Sequence, residues 1–242
     1  QNTQYVTDVL VSAKDNLLAF TESIPELYGS TKSPGFFLCP DLSSLNDPQS
    51  GLSSGSCGWT TNNAVGRLPS IKKDDVGTSS VNEFFYFAPS ENSGGPSLWY
   101  AVDDLYRNMN TSTANPLSLT PTMTLDGQPV VAVVFAANVP LSGQINGQQK
   151  TQQRNRTESA SQQLDDHLEA LVSSKTFISR KQTQNDLFND QVVSISKGEL
   201  DTVLMKKVCA LAKNNGYCNA PPVWFSTYGW SAYVCPTSSK CN

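Results

Sequence analysis

Apolar residues recur along the first twenty positions at steps of three and four: Val6, Val9, Leu10, Ala13, Leu17 and Phe20. That spacing lines one face of an α-helix and predicts an amphipathic rod of about 30 Å whose stripe meets a core. Pro25 lacks an amide hydrogen and restricts the residue before it, so the helix is expected to end between Glu22 and Ile24. A second helical stripe, Leu200, Val203, Leu204, Val208 and Leu211, follows Ser196 and Glu199, which match the S-x-x-E capping box. Asn214-Asn215-Gly216 supplies its stop.

Residues 129–137 (PVVAVVFAA) form a near-continuous apolar, β-branched run, which predicts a central strand buried on both faces. Residues 123–125 precede it across Asp126-Gly127, a hairpin signal. Residues 191–195 alternate as a strand does. Residues 98–106 (LWYAVDDLY) place apolar side chains on one helical face and predict a short helix. Residues 144–163, rich in Gln and Asn, predict a mobile loop, and 159–171 are compatible with a helix. Between 28 and 97, Gly, Ser, Pro, Asn and Asp dominate, the composition of turns and long loops. Two apolar interruptions there, 36–38 and 84–88, fit either short strands or pinned loop segments.

Composition narrows the class. Only 16% of the 242 residues are charged, while Ser, Thr, Asn and Gln are abundant, a surface chemistry common in exported proteins. The net charge of −4 argues against nucleic acid as a partner, because phosphate binding needs clustered cations. Candidates for a local basic patch are Lys72-Lys73 and Lys206-Lys207. Six cysteines fit disulfides in an oxidising compartment; with no CxxC and a single histidine, His167, zinc is poorly served. Spacing pairs the cysteines into local loops: Cys39–Cys57, Cys209–Cys218 and Cys235–Cys241. No signal peptide and no long apolar span is visible. Either the chain is secreted as a soluble protein, or an apolar N-terminal segment has been removed ahead of Gln1.

Catalytic constellations are thin. His167 is the only imidazole available to a nucleophile–base pair, and no nucleophile elbow accompanies it. Asp103-Asp104 and Asp165-Asp166 are adjacent carboxylates; on a helix, neighbours diverge by about 100°, so neither pair faces one substrate. Asp41, Asn46 and Asp47 form a weak calcium candidate without EF-hand spacing. The rings of Trp224, Phe225, Tyr228, Trp230 and Tyr233 suggest a partner surface, against the plainer alternative that they pack the end of the chain. The reading is of a protein that is not an enzyme and carries no cofactor.

The order of several segments resembles a known family: "NLLAFTESIPELYG", "FFLCPDLSS", "CGWTTNNAVGRLP", "LWYAVDDLY", "LDGQPVVAVVFAANVPLSGQ" and "FNDQVVSISKGELDTVLMKKV". Together they are similar to the large minor pilins of type IV pili and to pseudopilins of type II secretion, over roughly Val9 to Val208. The resemblance implies an α+β, pilin-like fold: a long N-terminal helix packed on an antiparallel sheet, with large loop and helix insertions. Residues 1–24 would be the C-terminal half of the pilin helix and 25–242 a single head domain with a disulfide-stapled C-terminal region. It implies an apolar half-helix upstream of Gln1 that anchors in the bacterial inner membrane before assembly into an extracellular filament. The partners implied are other minor pilins and the major pilin, and the role is initiating or capping a pilus, with tip adhesin as the alternative.

Overall fold

A computed structural model describes residues 3–29, 31–43, 51–61, 64–69, 98–107, 112–136, 142–145, 148–151, 171–179, 190–235 and 241. Strand β4 (Gln128–Ala136) is its axis: after two exposed residues, seven in succession are buried. β4 pairs along one edge with β9 (Gln191–Ser196). Its other edge is shared by two strands end to end, β2 (Leu98–Val102) against Ala132–Ala136 and β3 (Met123–Leu125) against Gln128–Val130. β1 (Val65–Arg67) extends the sheet beyond β2, and β8 (Thr176–Phe177) and β7 (Leu171–Ser173) extend it beyond β3. These seven strands pair antiparallel except β3 with β8, which run parallel. A separate antiparallel hairpin joins β5 (Ser142–Ile145) to β6 (Gln148–Thr151).

One irregularity sorts the core. Val130 opposes Ser196 and Ala132 opposes Ile195, so β4 carries one extra residue, Val131, a β-bulge. The bulge resets the alternation of side chains. Val131, Ala132, Val134 and Ala136 join one apolar cluster, while Val130, Val133 and Phe135 join the other. β2 divides likewise: Leu98, Tyr100 and Val102 on the first side, Trp99 and Ala101 on the second. Both faces of the sheet are therefore packed.

Helix α1 (Thr3–Glu22) lies over the first face, with Val6, Leu10, Ala13, Leu17 and Phe20 at most 2% exposed. A turn at Ser23 leads into α2 (Ile24–Tyr28), where Pro25 sits in the first turn and its missing N–H costs nothing. Helix α3 (Lys197–Asn215) follows β9 directly and buries Leu200, Leu204, Val208 and Ala212 beside α1. Its Ser196 and Glu199 form the expected reciprocal capping box, and left-handed Gly216 ends it. Two short helices complete the chain, α4 (Val223–Thr227) and α5 (Ser231–Val234).

Two glycines are demanded by close approach. Gly35 has φ +102°, and a Cβ there would lie 2.8 Å from both Leu204 and Pro116. At Gly66 of β1, a Cβ would meet the Asp41 carbonyl at 2.4 Å, because Asp41 and Arg67 exchange backbone hydrogen bonds of 2.9 and 3.0 Å.

Three expectations need correction. Residues 98–106 are not a helix: 98–102 are strand β2, buried on both sides, and only Asp104–Tyr106 form a 3-10 turn. Pairing on both edges overrides a stripe that fits either period. The expected polar loop at 144–163 contains the β5–β6 hairpin through Thr151. Asn146-Gly147 between the strands is a hairpin signal that the Gln-rich composition masks. Leu171 belongs to β7 rather than to a helix. Residues 84–88, 152–163 and the rest of the 159–170 stretch lie outside the described residues. Of the 36–38 segment, Phe37 makes a single parallel bridge to Arg107, so it is a pinned loop.

Asp103 stands at the point where β2 hands the edge of β4 over to β3. Its N–H donates to the Val131 carbonyl at 2.9 Å. Its fully buried carboxylate accepts from Leu105 N–H (3.0 Å), Thr122 N–H (2.6 Å), Thr122 Oγ1 (2.9 Å) and Met123 N–H (2.8 Å). Asp103→Ala is expected to strand several buried donors and cost roughly 3 kcal/mol or more. Asp103→Asn can keep its amide oxygen on Thr122 and Met123 while its NH₂ faces Leu105 N–H, so it should recover part of that loss. Chemical denaturation checks both, and an unchanged midpoint in Asp103→Ala would refute the junction role.

Candidate functional site

The residues singled out from the sequence meet different fates. His167, Asp165, Asp166, Asn46, Asp47 and Lys72-Lys73 lie outside the described residues. Asp103 is committed to the strand junction. Asp104, its neighbour, accepts Trp59 N–H at 3.1 Å and pairs with Lys175 at 3.1 Å, so it holds the 59–61 turn and the β7–β8 hairpin near β2. Both carboxylates thus hold neighbouring elements in place.

Of the calcium candidate, only Asp41 is among the described residues, and its carboxylate has protein partners. Its Oδ2 accepts from Arg67 Nη2 at 2.8 Å, Arg67 Nε at 3.2 Å and Gly51 N–H at 2.8 Å, and Oδ1 accepts from Ser43 N–H at 2.9 Å. The guanidinium, itself buried, takes the place a cation would fill. Asp41 follows Cys39 by two residues, and the bond it accepts from Gly51 N–H falls within the loop that the Cys39–Cys57 disulfide closes. Among the described residues, no group of three His, Cys, Asp or Glu side chains is placed to hold a metal.

The aromatic segment is interior. Trp224, Phe225 and Trp230 are at most 2% exposed, Tyr228 is 8% exposed, and only Tyr233 is half-buried. Trp230 Nε1 donates to Ser33 Oγ at 2.8 Å, and Asn115 Nδ2 donates to the Tyr228 carbonyl at 2.9 Å. Trp224 and Phe225 stack edge-on with each other and with Tyr217. The expected partner surface is thus a second part of the main core, because each ring gains more by packing against α3 and the 33–36 segment than by facing water.

The disulfides also differ from the expected pairs. Cys39–Cys57 forms as spaced, but Cys209 joins Cys241 and Cys218 joins Cys235, one loop nested inside the other. The expected Cys209–Cys218 and Cys235–Cys241 pairs are replaced because α5 folds back onto α3, which brings Cys235 to Cys218.

What the sequence did not reveal is a groove of about 570 Å³ between α1, β9 and the start of α3. Val11, Lys14 and Leu18 come from α1, Val193 from β9, and Glu199 and Val203 from α3. Val11 is 45% exposed and lies off the buried stripe, a signal that was present in the sequence. The bridge across the groove was not, since Lys14 Nζ donates to Glu199 Oε1 from a residue 185 positions away. Glu199 Oε2 simultaneously accepts Ser196 N–H at 2.9 Å as the helix cap. Partial burial pushes the Glu199 carboxyl up, but the hydrogen bonds from Lys14 and Ser196 outweigh it and leave the group below its ordinary range. Further along the α1–α2 side, Glu26 pairs with Lys207 at 2.9 Å, so Lys207 too is spoken for. Glu22 lies higher than usual because burial outweighs the pull of Lys207 and Lys206. Val11, Leu18, Val193 and Val203 give the groove apolar walls, Asp15 and Thr202 add polar groups, and the Lys14–Glu199 ion pair crosses it.

Two outcomes follow from these placements. A non-reduced peptide map should link Cys209 to Cys241 and Cys218 to Cys235; a Cys209–Cys218 peptide in the folded protein would contradict the nested arrangement. Glu199→Ala removes both a cap and a cross-helix pair and should cost about 1–2 kcal/mol at pH 7. Because the folded-state pKa of Glu199 is depressed, its contribution exists above the ordinary carboxylate range and is lost as pH falls through the depressed value. The gap in melting temperature between parent and variant should therefore close in acid, and a gap constant from pH 7 to pH 3 would refute the linkage.

Among the described residues, no helix is long and apolar enough to cross a membrane. No family model matches the chain, and no curated protein or solved structure is significantly similar to it.

Proposed function

We propose that this chain is a non-enzymatic structural subunit of a bacterial filament, a large minor pilin of a type IV pilus or a related secretion pseudopilus. In this reading it helps to initiate or cap the filament together with other minor pilins. The observation that carries it is the division of α1 into two faces. One face is buried against β4 and β9, while Val11 and the rest of the groove stay open on the other. A helix so placed belongs to its own head on one side and has apolar surface left for a neighbouring subunit on the other. The ordered segments from Val9 to Val208 supply the second line of support. The three disulfides suit a protein that matures outside the cytosol. The adhesin alternative drew on the aromatic segment, whose burial removes that support.

The reading requires a gene that encodes an apolar helical segment continuous with α1 upstream of Gln1. Its absence would end the proposal. Given that segment, Val11→Lys should leave the melting temperature within about 1 kcal/mol equivalent of the parent, as exposed substitutions do. The same change should reduce recovery of the complex with co-expressed minor pilins and lower piliation. Normal piliation in both the deletion strain and the Val11→Lys strain would overturn the assembly role.

A further inference from the structure

The nested disulfides set a kinetic problem. Cys218–Cys235 spans 17 residues and encloses α4, α5 and the aromatic cluster, while Cys209–Cys241 spans 32 and encloses the first bond. Each of these cysteines has a nearer competitor in the chain: Cys209 has Cys218, nine residues on, and Cys235 has Cys241, six residues on. In an unfolded chain, shorter loops close more readily. In the folded chain the order reverses, since longer closed loops remove more freedom from the unfolded state and the nested pairs also hold Trp224, Phe225 and Trp230 in the core. The bonds favoured first are therefore not the bonds that are most stable.

We propose that oxidation of the C-terminal region passes through Cys209–Cys218 and Cys235–Cys241, and that the native pairs are reached by catalysed thiol–disulfide exchange. The chain is thus a client of a thiol–disulfide isomerase in the oxidising compartment where it folds. No net oxidation is involved, because two disulfides stand before and after; what is missing is a thiolate. An external thiolate attacks Cys218 Sγ, forms a mixed disulfide and releases the Cys209 thiolate. Cys209 then attacks Cys241 Sγ, which forms Cys209–Cys241 and releases the Cys235 thiolate. Cys235 attacks Cys218 Sγ, which forms Cys218–Cys235 and returns the external thiolate. The order suits the chain, since Cys218 and Cys241 remain exposed even in the folded protein, where an outside thiol can reach them. Cys39 and Cys57, 0% and 3% exposed and already paired with their nearest neighbours, need no such help.

The test is oxidative refolding of the reduced full chain, with alkylation at timed intervals and peptide mapping of the bonds formed. In a thiol-free oxidant such as diamide, the local pairs should appear first, and the native map should be reached about tenfold more slowly than in a buffer containing reduced glutathione or a dithiol isomerase. The double variant Cys209→Ala/Cys241→Ala retains no local competitor, so its Cys218–Cys235 bond should form at the same rate with or without thiol. Direct formation of Cys209–Cys241 as an early product without thiol would overturn the proposal. So would a thiol requirement that persists in the double variant, or a trapped early population without local pairs.

Discussion

The handover from β2 to β3 along one edge of β4 is the constraint on which the remaining architecture depends. Two strands from distant parts of the chain must end and begin at one point, and the backbone groups of both would be left unpaired there. Asp103 resolves this by filling the gap in the ladder with its own N–H and covering Thr122 and Met123 with its carboxylate. Opposite the same point, β4 bulges at Val131, whose carbonyl receives the Asp103 N–H. The buried carboxylate is tolerable because it accepts four hydrogen bonds from neighbouring donors.

From that junction the layers follow. The bulge directs both Val131 and Ala132 toward α1, whereas strict alternation would have sent one of them to the opposite core. Small side chains at Ala132 and Ala136 meet a helix whose own facing residues include Ala13, an arrangement that favours close packing of helix on sheet. α3 then lies beside α1, and two charge pairs, Lys14 of α1 with Glu199 and Glu26 of α2 with Lys207, tie α3 to the α1–α2 side without being the main source of stability. A groove remains between them, walled by Val11, Leu18, Val193 and Val203.

At the far end of α3 the chain recruits a second set of apolar groups. α4 and α5 are too short to be stable alone, and their rings are held by packing, by the Trp230–Ser33 and Asn115–Tyr228 hydrogen bonds, and by two nested covalent links. Their burial explains why a segment rich in Trp and Tyr presents little of that chemistry to solvent.

Local signals and tertiary context divided the outcome cleanly. The stripe of α1, its end before Pro25, the capping box at Ser196, the stop at Gly216, the buried β4 run and the Asp126-Gly127 turn were all determined by sequence, because each depends on side-chain periodicity or on backbone chemistry within a few residues. The Cys39–Cys57 bond was legible for the same reason. Residues 98–102 were decided only by tertiary structure: five consecutive apolar side chains suit either period until β1 and β4 pair with both edges. So were the roles of Asp41 and Asp103, whose partners Arg67 and Thr122 lie 26 and 19 positions away. The aromatic segment and the nested disulfides belong to the same class. Which ring is buried and which sulfur is nearest depends on where α4 and α5 fold against α3, and that is set by the free energy of the whole core rather than by distance along the chain.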